Sequence, residues 1–589
     1  MKNKISKLFL ALAVVFVFFA CKKSFLEVTP NGVLDETTLS TEKGINKLLI
    51  AAYAMLDGHD GGQNLGGEWG SGGSNFLFGG IGGGEANKGS DPGDQGPNMT
   101  PVQRHDITST NGAINDRWKA IYEGVKRTNL VLEILAKVPE VGDASRKNIS
   151  GQARALRAWY HFQARIIFGK ACFIDEKTDL DLASGAIESV TNQTDIFPKI
   201  VEDAKYAYEN LPAAQDAIGR INKYVAGAIY GKILMFTKDF ATAKTVLSDV
   251  VTNGTNSKGV HFDLLTNYND NFNLDFDVSD AAPTKNPESV LAFAASSLDN
   301  ASARNGNWGD LLNTPSATGG GGAGFFCPTQ YFVNQFKTDV AGLPLANPQN
   351  LQLMDPFGEP GATTYSGNVD VRLDWTVGRD QIPFHDWGKY LTTWPRDKSA
   401  GPYAGKKTMI RQSQVASTHD GSIWFVGGGT ALNLNLIRFS DVILMLAEAE
   451  IEAPGGSLTN ATNLINRVRN RAAGSKTVKL YKVGTTTDST VSAANYAVAP
   501  YAVPLASQAA ARTAVRLERA LELGMEGWRF FDLVRWGIAA TELNAYYNYE
   551  SPMAYQVILR PKPTYASPAN DYYPVPQQQI DLSHGLIKP

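Results

Sequence analysis

Apolar residues recur at helical spacing in two long blocks of this 589-residue chain, and a long stretch between the blocks lacks that spacing. Residues at i, i+3, i+4 and i+7 share one face of an amphipathic helix. The clearest stripe is Ile45, Leu48, Leu49, Ala52, Tyr53 and Leu56, and others cover 114–135, 152–168, 200–211, 222–251, 439–453, 461–472 and 509–525. The pattern predicts a mainly α fold, with helical scaffold over 21–252 and 431–589.

Two of the predicted helices, 222–237 and 240–251, are joined by very few residues. Ala226-Gly227 and Ala243 are small residues, which let two helices approach closely, and Tyr230 lies between them in the sequence. This spacing is typical of a tetratricopeptide helix pair. We therefore expect tetratricopeptide-like helix pairs stacked in a degenerate array.

Residues 253–430 are rich in Asn, Asp, Gly, Pro and Trp and show almost no helical periodicity. Residues 288–294 are a candidate short strand. An earlier segment, 58–98, contains sixteen glycines and also resists helix formation, because glycine costs about 1 kcal/mol relative to alanine in a helix. Long irregular segments of folded proteins usually carry function, so we expect 253–430 to form the ligand-facing region.

The N-terminus has the pattern of an export signal. Lys2, Lys4 and Lys7 precede the apolar run 8–20, which is too short to span a bilayer. Cys21 follows at once, after a small residue, as at the lipidation site of bacterial lipoproteins. We predict a signal peptide over 1–20, a lipidated Cys21 and a single domain over 21–589. A plain signal peptide with an incidental cysteine is the alternative.

Composition and motifs favour binding over catalysis. The net charge of −3 argues against a nucleic-acid binder. The seven histidines have no metal-ligand spacing, and H-E-x-x-H, G-x-S-x-G and P-loop motifs are absent. The acidic residues between Asp270 and Asp280 lack the Gly and Glu of a calcium loop, which favours a solvated loop. We predict no enzyme, cofactor or metal. A pair of glycosidase carboxylates stays possible, since these need not be close in sequence, and Cys172 and Cys327 leave one disulfide open.

Aromatic residues in polar loops are the strongest ligand signal. The C–H faces of a sugar ring stack on an aromatic side chain, while its hydroxyls need polar partners. Asn307, Trp308 and Asp310 supply both within four residues. The predicted ligand contacts are Trp308, Trp69 and Trp387 with Asn307 and Asp310, followed by Tyr390 and Trp394. The competing interpretation is that these rings pin loops to the helical body.

Several segments also carry a family resemblance when they are taken in order. They are Phe25-Leu26-Glu27-Val28-Thr29-Pro30, Arg117-Trp118-Lys119-Ala120-Ile121-Tyr122, 153–162 around Arg157-Ala158-Trp159-Tyr160, 437–449 around Arg438-Phe439-Ser440-Asp441, Arg516-Leu517-Glu518-Arg519, Glu526-Gly527-Trp528-Arg529-Phe530-Phe531-Asp532-Leu533-Val534-Arg535-Trp536-Gly537, and Tyr573-Pro574-Val575-Pro576. This ordered set resembles the SusD/RagB family of outer-membrane nutrient-binding lipoproteins of Bacteroidetes.

The resemblance implies four tetratricopeptide-like helix pairs in a right-handed superhelical scaffold. It also implies a lipid-anchored outer-membrane protein that captures oligosaccharides and delivers them to a SusC-like TonB-dependent transporter. Peptide binding is the alternative ligand class, and a surface glycosidase is the less favoured one.

The residues of the motifs themselves are expected to be structural. They are Arg117, Trp118, Arg157, Arg529, Asp532 and Arg535. Arg529 and Arg535 each lie three residues from Asp532, which predicts two ion pairs on one helix.

Overall fold

A computed structural model describes residues 39–58, 68–178, 190–301, 305–307, 309–316, 322–420 and 429–589, and only the backbone of residues 68, 69 and 311. Cys21, the expected signal peptide and Trp308 lie outside this part of the chain. None of the described helices is long and apolar enough to cross a membrane.

The N-terminal block is helical, as the periodicity predicts. Its helices are α1 (Glu42–Tyr53), α2 (Glu68–Ser71), α3 (Gly96–Arg104), α4 (Gly112–Lys137), α5 (Asp143–Phe168), α6 (Phe197–Asn210), α7 (Lys223–Thr237) and α8 (Phe240–Asn253). The Thr41 hydroxyl caps α1 by accepting from Gly44 N at 3.0 Å. Helix α5 begins nine residues before its apolar stripe, and these first turns are mostly polar and only partly buried.

Successive long helices pack on one another. Helix α4 contacts α1 and α5, and contacts continue from α5 to α6, α6 to α7 and α7 to α8. A Cβ atom on Gly227 of α7 would lie 2.8 Å from a methyl carbon of Val250 in α8, so the absence of a side chain permits this close approach. The chain turns at Lys238, in the left-handed region, and Asp239 caps α8. The expected tetratricopeptide-like packing is confirmed.

The described residues between 254 and 438 form the loop-rich region. Its helices are short: α9 (Gln330–Asn334), α10 (Leu373–Thr376) and α11 (Val415–Thr418). The first six strands are β1 (Ala86–Gly89), β2 (Ser289–Phe293), β3 (Phe325–Pro328), β4 (Val377–Gly378), β5 (Ala404–Gly405) and β6 (Leu434–Arg438). They form the antiparallel pairs β1–β3, β2–β6 and β4–β5. Strand β2 confirms the strand predicted at 288–294.

The C-terminal block returns to helix. It contains α12 (Phe439–Glu452), α13 (Leu458–Gly474), the strands β7 (Lys479–Tyr481) and β8 (Asp488–Ser492), α14 (Gln508–Leu523), α15 (Arg529–Arg535), α16 (Ala539–Glu550) and α17 (Gln577–Leu582). Helix α12 packs on α8 as well as on α13 and α14. The loop-rich region is therefore inserted in the sequence between α8 and α12, two helices that pack against each other.

Candidate functional site

The loop that leads into and out of Trp308 is held by contacts between glycines. A Cβ on Gly72 would lie 2.9 Å from the Cα of Gly309, and a Cβ on Gly306 would lie 2.6 Å from the carbonyl carbon of Gly429. Side chains at these positions would push the segments apart. The described residues on both sides of Trp308 are therefore clamped between the glycine-rich segment and residue 429.

Asn307 and Asp310 are bonded to each other beneath this loop. The Asn307 side-chain amide donates to Asp310 Oδ2 at 3.1 Å, and the Asn313 amide donates to Asp310 Oδ1 at 3.1 Å. Both Asn307 and Asp310 are 4% exposed, and burial raises the pKa of Asp310. Their observed bonds brace the loop, whereas the sequence predicted them as ligand contacts. That second role stays a prediction.

A small cavity of about 40 Å³ lies beside the hydrogen bond between Asn307 and Asp310, which we call the Asn307–Asp310 bracket. The cavity has room for little more than one water molecule. Asn307 and Asp310 line it together with Asn433, Asn435, Lys407 and Phe272. Amide groups, an ammonium group and a ring thus surround one small polar space. The cavity is far smaller than a ligand pocket of about 300–1,000 Å³, so it can hold water but not a sugar ring.

Arg117 connects this site to the helical array. Its guanidinium donates to the carbonyl oxygens of Ser71 and Gly72 at 2.6 and 3.1 Å, and to Asn75 Oδ1 at 2.8 Å. Burial lowers the pKa of Arg117 to about 10. The residue was predicted to be structural, and its contacts show what it supports: the glycine-rich segment on which Gly309 rests.

The predicted ring cluster at 387–394 is a small core of its own. Tyr390 is 0% exposed and packs with Phe384 and Trp394, with ring centroids 5.9 and 5.2 Å away. Tyr390 therefore has no free face, and its prediction as a ligand contact is wrong, because the ring fills this core. Trp387 and Trp394 are half-buried against it, and Trp387 donates to the carbonyl oxygen of Ile410 at 2.9 Å. Their role as ligand contacts stays a prediction.

Two other predicted residues cannot be placed. Trp69 lies in α2, but its side chain falls outside the described residues, as does the whole of Trp308.

Cys172 and Cys327 are buried free thiols, so they do not pair. In the described ranges, no group of His, Cys, Asp or Glu is placed to hold a metal ion.

The motif residues of α15 form ion pairs, one of them with a partner other than the predicted one. Asp532 pairs with Arg535 at 2.8 Å, as expected, and with Arg519 at 2.9 Å. Arg529 instead pairs with Glu542 at 3.3 Å. The predicted Arg529–Asp532 pair is wrong, because Arg519 and Arg535 already occupy the Asp532 carboxylate.

Trp118 and Arg157 occupy the N-terminal part of the array. Trp118 is buried, with its ring centroid 5.0 Å from that of Phe168. Arg157 pairs with Asp203 at 2.7 Å and with Glu176 at 2.5 Å. These contacts join α4 to α5 and α5 to α6, and the scaffold role of both residues stays a prediction that the contacts support.

A buried ion network that the sequence analysis missed anchors the loop-rich region to α14. Glu522 accepts from Arg372 at 3.1 Å, from Arg438 at 3.0 Å and from Arg471. The network also includes Glu288, Asp370, Lys407, Arg469, Glu518 and Glu526. Glu518, Glu522 and Glu526 recur every four residues, and that spacing is the signal that could have revealed the network.

An array of helix pairs that carries a loop-rich region defines a helical-repeat scaffold protein. Residues 287–588, more than half of the chain, match the family described as "SusD family", and residues 93–235 match one described as "Starch-binding associating with outer membrane". The chain belongs to the SusD family.

Individual relatives are distant but cover most of the chain. A SusD-like protein of Bacteroides ovatus is 23% identical over 550 residues, covering 90% of this chain and 82% of that protein. A SusD superfamily protein from Bacteroides vulgatus has a similar structure, with a TM-score of 0.64, 21% identity and coverage of 93% and 98%. Surface glycan-binding protein A from Bacteroides thetaiotaomicron in complex with laminarihexaose gives a TM-score of 0.59, 20% identity and the same coverage.

Proposed function

We propose that this protein is a lipid-anchored glycan-binding protein of the cell surface. It captures an oligosaccharide without cleaving it and delivers it to a SusC-like TonB-dependent transporter in the outer membrane. Membership of the SusD family supports the proposal, and so does the structural similarity to a protein whose complex holds laminarihexaose. The family description "associating with outer membrane" supports the location.

The clamped loop around Trp308 is the observation that carries the binding proposal. Glycine contacts and the Asn307–Asp310 bracket hold the backbone on both sides of a tryptophan. Ordered residues on both sides of a binding residue lower the entropic cost of binding, which favours affinity. Trp308 is therefore our first candidate for the stacking platform, and Trp69, Trp387 and Trp394 follow.

Calorimetry with a panel of oligosaccharides that includes laminarihexaose tests this assignment. We expect Trp308→Ala to weaken binding of the cognate glycan by about 1–3 kcal/mol, because an aromatic face is no longer buried. Trp308→Phe should retain part of the affinity. Trp375→Ala is the matched control, since Trp375 donates to the carbonyl oxygen of Lys476 at 2.7 Å and does not line the cavity beside Asp310. Equal affinity of Trp308→Ala and the natural protein would remove Trp308 from the site.

Fractionation of cells tests the anchor. A Cys21→Ala variant cannot be acylated at that position and should leave the membrane fraction, because several acyl chains contribute about 0.8 kcal/mol per buried CH₂ group. Retention of the variant in the membrane would contradict lipidation at Cys21.

Two further measurements test delivery and the absence of catalysis. The natural protein should co-purify with a TonB-dependent transporter from solubilised outer membranes. Incubation with the bound glycan should produce no new reducing ends. Release of reducing ends would make the protein a glycosidase, and protection from thermal unfolding by peptides, with none by glycans, would make it a peptide-binding protein.

A further inference from the structure

A groove of about 740 Å³ lies far along the chain from Trp308. Its walls are the loop 344–350, one face of α14, and residues of α15 and α16. This volume is within the range of about 300–1,000 Å³ that is usual for ligand sites. The groove shares no lining residue with the cavity beside Asn307 and Asp310, so the two spaces are separate.

The groove combines aromatic rings with amide and hydroxyl groups. Tyr331 and Tyr501 are half-buried in its walls, and the Arg469 guanidinium covers the Tyr501 ring at 4.6 Å. The polar lining includes Gln335, Asn347 and Thr513. Rings beside neutral polar groups are the chemistry that sugars require.

The charge of the groove is unbalanced. Its lining contains two guanidinium groups, Arg516 and Arg529, and one carboxylate, Glu542. Glu542 pairs with Arg529 at 3.3 Å. Within the described ranges no carboxylate lies within ion-pair distance of Arg516, whose guanidinium lies 5.2 Å from the centre of the Trp536 ring. Arg516 is therefore the guanidinium of the groove lining that has no direct ion-pair partner in the described ranges.

At the inner end of the groove, where it adjoins Glu85, two buried acceptor oxygens have no hydrogen-bond donor. Tyr331, Gln335, Arg529 and Glu542 also border a small cavity that reaches Glu85, which is 3% exposed. Neither Glu85 Oε1 nor Gln335 Oε1 has a hydrogen-bond partner in the described part of the protein. Buried polar atoms usually have a partner, and an unpaired one costs free energy. The cavity at this end has a volume of about 10 Å³, so it has room for about one hydroxyl group of a ligand.

We propose that this groove is a second ligand site, one that binds an acidic oligosaccharide containing uronic acid residues. Arg516 binds a sugar carboxylate, Tyr331 and Tyr501 contact sugar rings, and Gln335 and Glu85 accept hydrogen bonds from hydroxyl groups. The inference rests on the proposed function for the glycan class. A peptide fits less well, because no described β-strand lines the groove, and an extended peptide would find no strand edge to pair with.

Calorimetry at low and high salt tests the inference on the full mature protein. The probes are oligogalacturonate, oligomannuronate and oligoguluronate of matched length, with neutral laminarihexaose for comparison. We expect at least one acidic probe to bind, more weakly at high salt, since salt screens exposed charges. Arg516→Gln should weaken that binding about tenfold or more, as expected for a lost charge-assisted contact, and Arg516→Lys should lose less.

Arg512→Gln is the matched control. Arg512 lies one turn earlier on α14, pairs with Glu452 at 2.7 Å and does not line the groove. This variant should bind the acidic probe as the natural protein does. Circular dichroism and the melting temperature verify that both variants fold. Tyr331→Phe is a second, milder change in the groove: it removes the phenolic hydroxyl and should leave the stacking of the ring intact.

Three results would overturn the inference: none of the three acidic probes binds, Arg516→Gln binds them unchanged, or peptides with a free C-terminal carboxylate bind while their amides do not. The proposed function fails separately. If Trp308→Ala loses laminarihexaose and the acidic probes do not bind, only the second site is rejected. If Arg516→Gln loses the acidic probe while Trp308→Ala binds every glycan normally, only the Trp308 platform is rejected.

Discussion

The helical array and the loop-rich region satisfy their buried backbone carbonyls in different ways. A helix satisfies its own carbonyls by i to i−4 hydrogen bonds, whereas an irregular segment needs other donors. In the loop-rich region Lys406 supplies them: its buried ammonium donates to the carbonyl oxygens of Asp374 and Pro383 at 2.6 and 2.9 Å. The comparison shows that the loops are organised around side chains as well as around their own backbone.

Two other buried lysines repeat this arrangement, Lys88 in the glycine-rich segment 58–98 and Lys337 in the loop-rich region. Lys88 donates to the carbonyl oxygens of Asp91 and Asp94 at 2.7 and 2.6 Å, and Lys337 donates to those of Pro348 and Gln352 at 3.1 and 2.6 Å. Burial lowers the pKa of Lys88 and of Lys337 to about 8, and that of Lys406 to about 7. In each case the side-chain nitrogen is removed from water and donates to loop carbonyl oxygens instead.

The two regions also differ in how their side chains pack. Array helices approach through small residues such as Gly124, where a Cβ would lie 2.9 Å from the Tyr160 ring. The loop-rich region is attached to α14 through buried charges, with Glu522 at the centre. Substitutions should therefore be most damaging where they leave charges unpaired, and milder where they only crowd helices.

Glu522→Gln should have the largest effect. It removes one negative charge from contact with Arg372, Arg438 and Arg471, and we expect the free energy of unfolding to fall by about 3–5 kcal/mol, as for a broken buried ion pair. Urea denaturation measures it. Glu452→Gln is the control, because its partner Arg512 is partly exposed and the loss should stay below about 1 kcal/mol. Equal losses in the two variants would contradict the anchoring role.

The same variant should change the response to acid. Burial alone would raise the pKa of Glu522, but the guanidinium groups of Arg471, Arg438 and Arg372 hold it well below its usual range. Below about pH 4.5 the unfolded chain takes up a proton that the folded chain refuses, so this contribution to stability is lost as the pH falls toward the folded pKa. Glu522→Gln should therefore lose less stability than the natural protein between pH 6 and pH 3.

Lys406→Met should have the next largest effect. The carbonyl oxygens of Asp374 and Pro383 would be left buried without a donor, at a cost of about 2–3 kcal/mol. Hydrogen exchange near residues 374–383 measures the local loss. Lys398→Met is the control, since Lys398 is exposed.

The pH dependence separates this role of Lys406 from simple packing. With a folded pKa of about 7 and an ordinary value of 10.5, the unfolded chain keeps a proton that the folded chain has released between these pH values. Stability then rises with pH across this window. The advantage of the natural protein over Lys406→Met should be larger at pH 9 than at pH 7, and a constant difference would contradict the assignment.

The array was predictable from the sequence because its signals are local. The stripe at 45–56, the joint at Lys238-Asp239-Phe240 and the return of helix at Phe439 each depend on residues within a few turns of one another. The start of α5 was missed because its first turns lack an apolar stripe. The composition of 253–430 and its lack of helical periodicity also indicated a loop-rich middle.

The anchoring of the loops and much of the site could not be predicted, because the contacts join distant positions. Arg438 meets Glu522 across 84 residues, and Arg372 meets Glu518 across 146. Tyr390 shows the same limit: an aromatic residue in a polar loop has the same sequence signature whether its ring faces a ligand or, as here, fills a satellite core. The groove at Arg516 was missed since its walls come from four separate segments.

Gly227→Val tests the array side of the comparison. The new side chain would meet Val250 and Tyr208, whose atoms lie 2.8 and 3.1 Å from the position of a Cβ, and crowding of a packed core costs about 1–3 kcal/mol. Urea denaturation measures the loss. Gly474→Ala is the control: a Cβ there meets nothing within 4 Å, so the change should be neutral or slightly stabilising. A loss equal to that of Glu522→Gln would remove the distinction between crowded helices and unpaired charges.

Glu85→Gln should have the smallest effect, and its sign should depend on pH. Burial raises the pKa of Glu85 from 4.5 to about 7. Between these values the unfolded chain has released a proton that the folded chain retains, so stability falls as the pH rises. Glutamine removes this dependence, and we expect the variant to match the natural protein near pH 5 and to exceed its urea midpoint at pH 8. A variant that is instead less stable at pH 8 would show that the Glu85 carboxylate has an ionic partner within the protein. The unpaired Glu85 oxygen would then no longer support a ligand at the inner end of the groove.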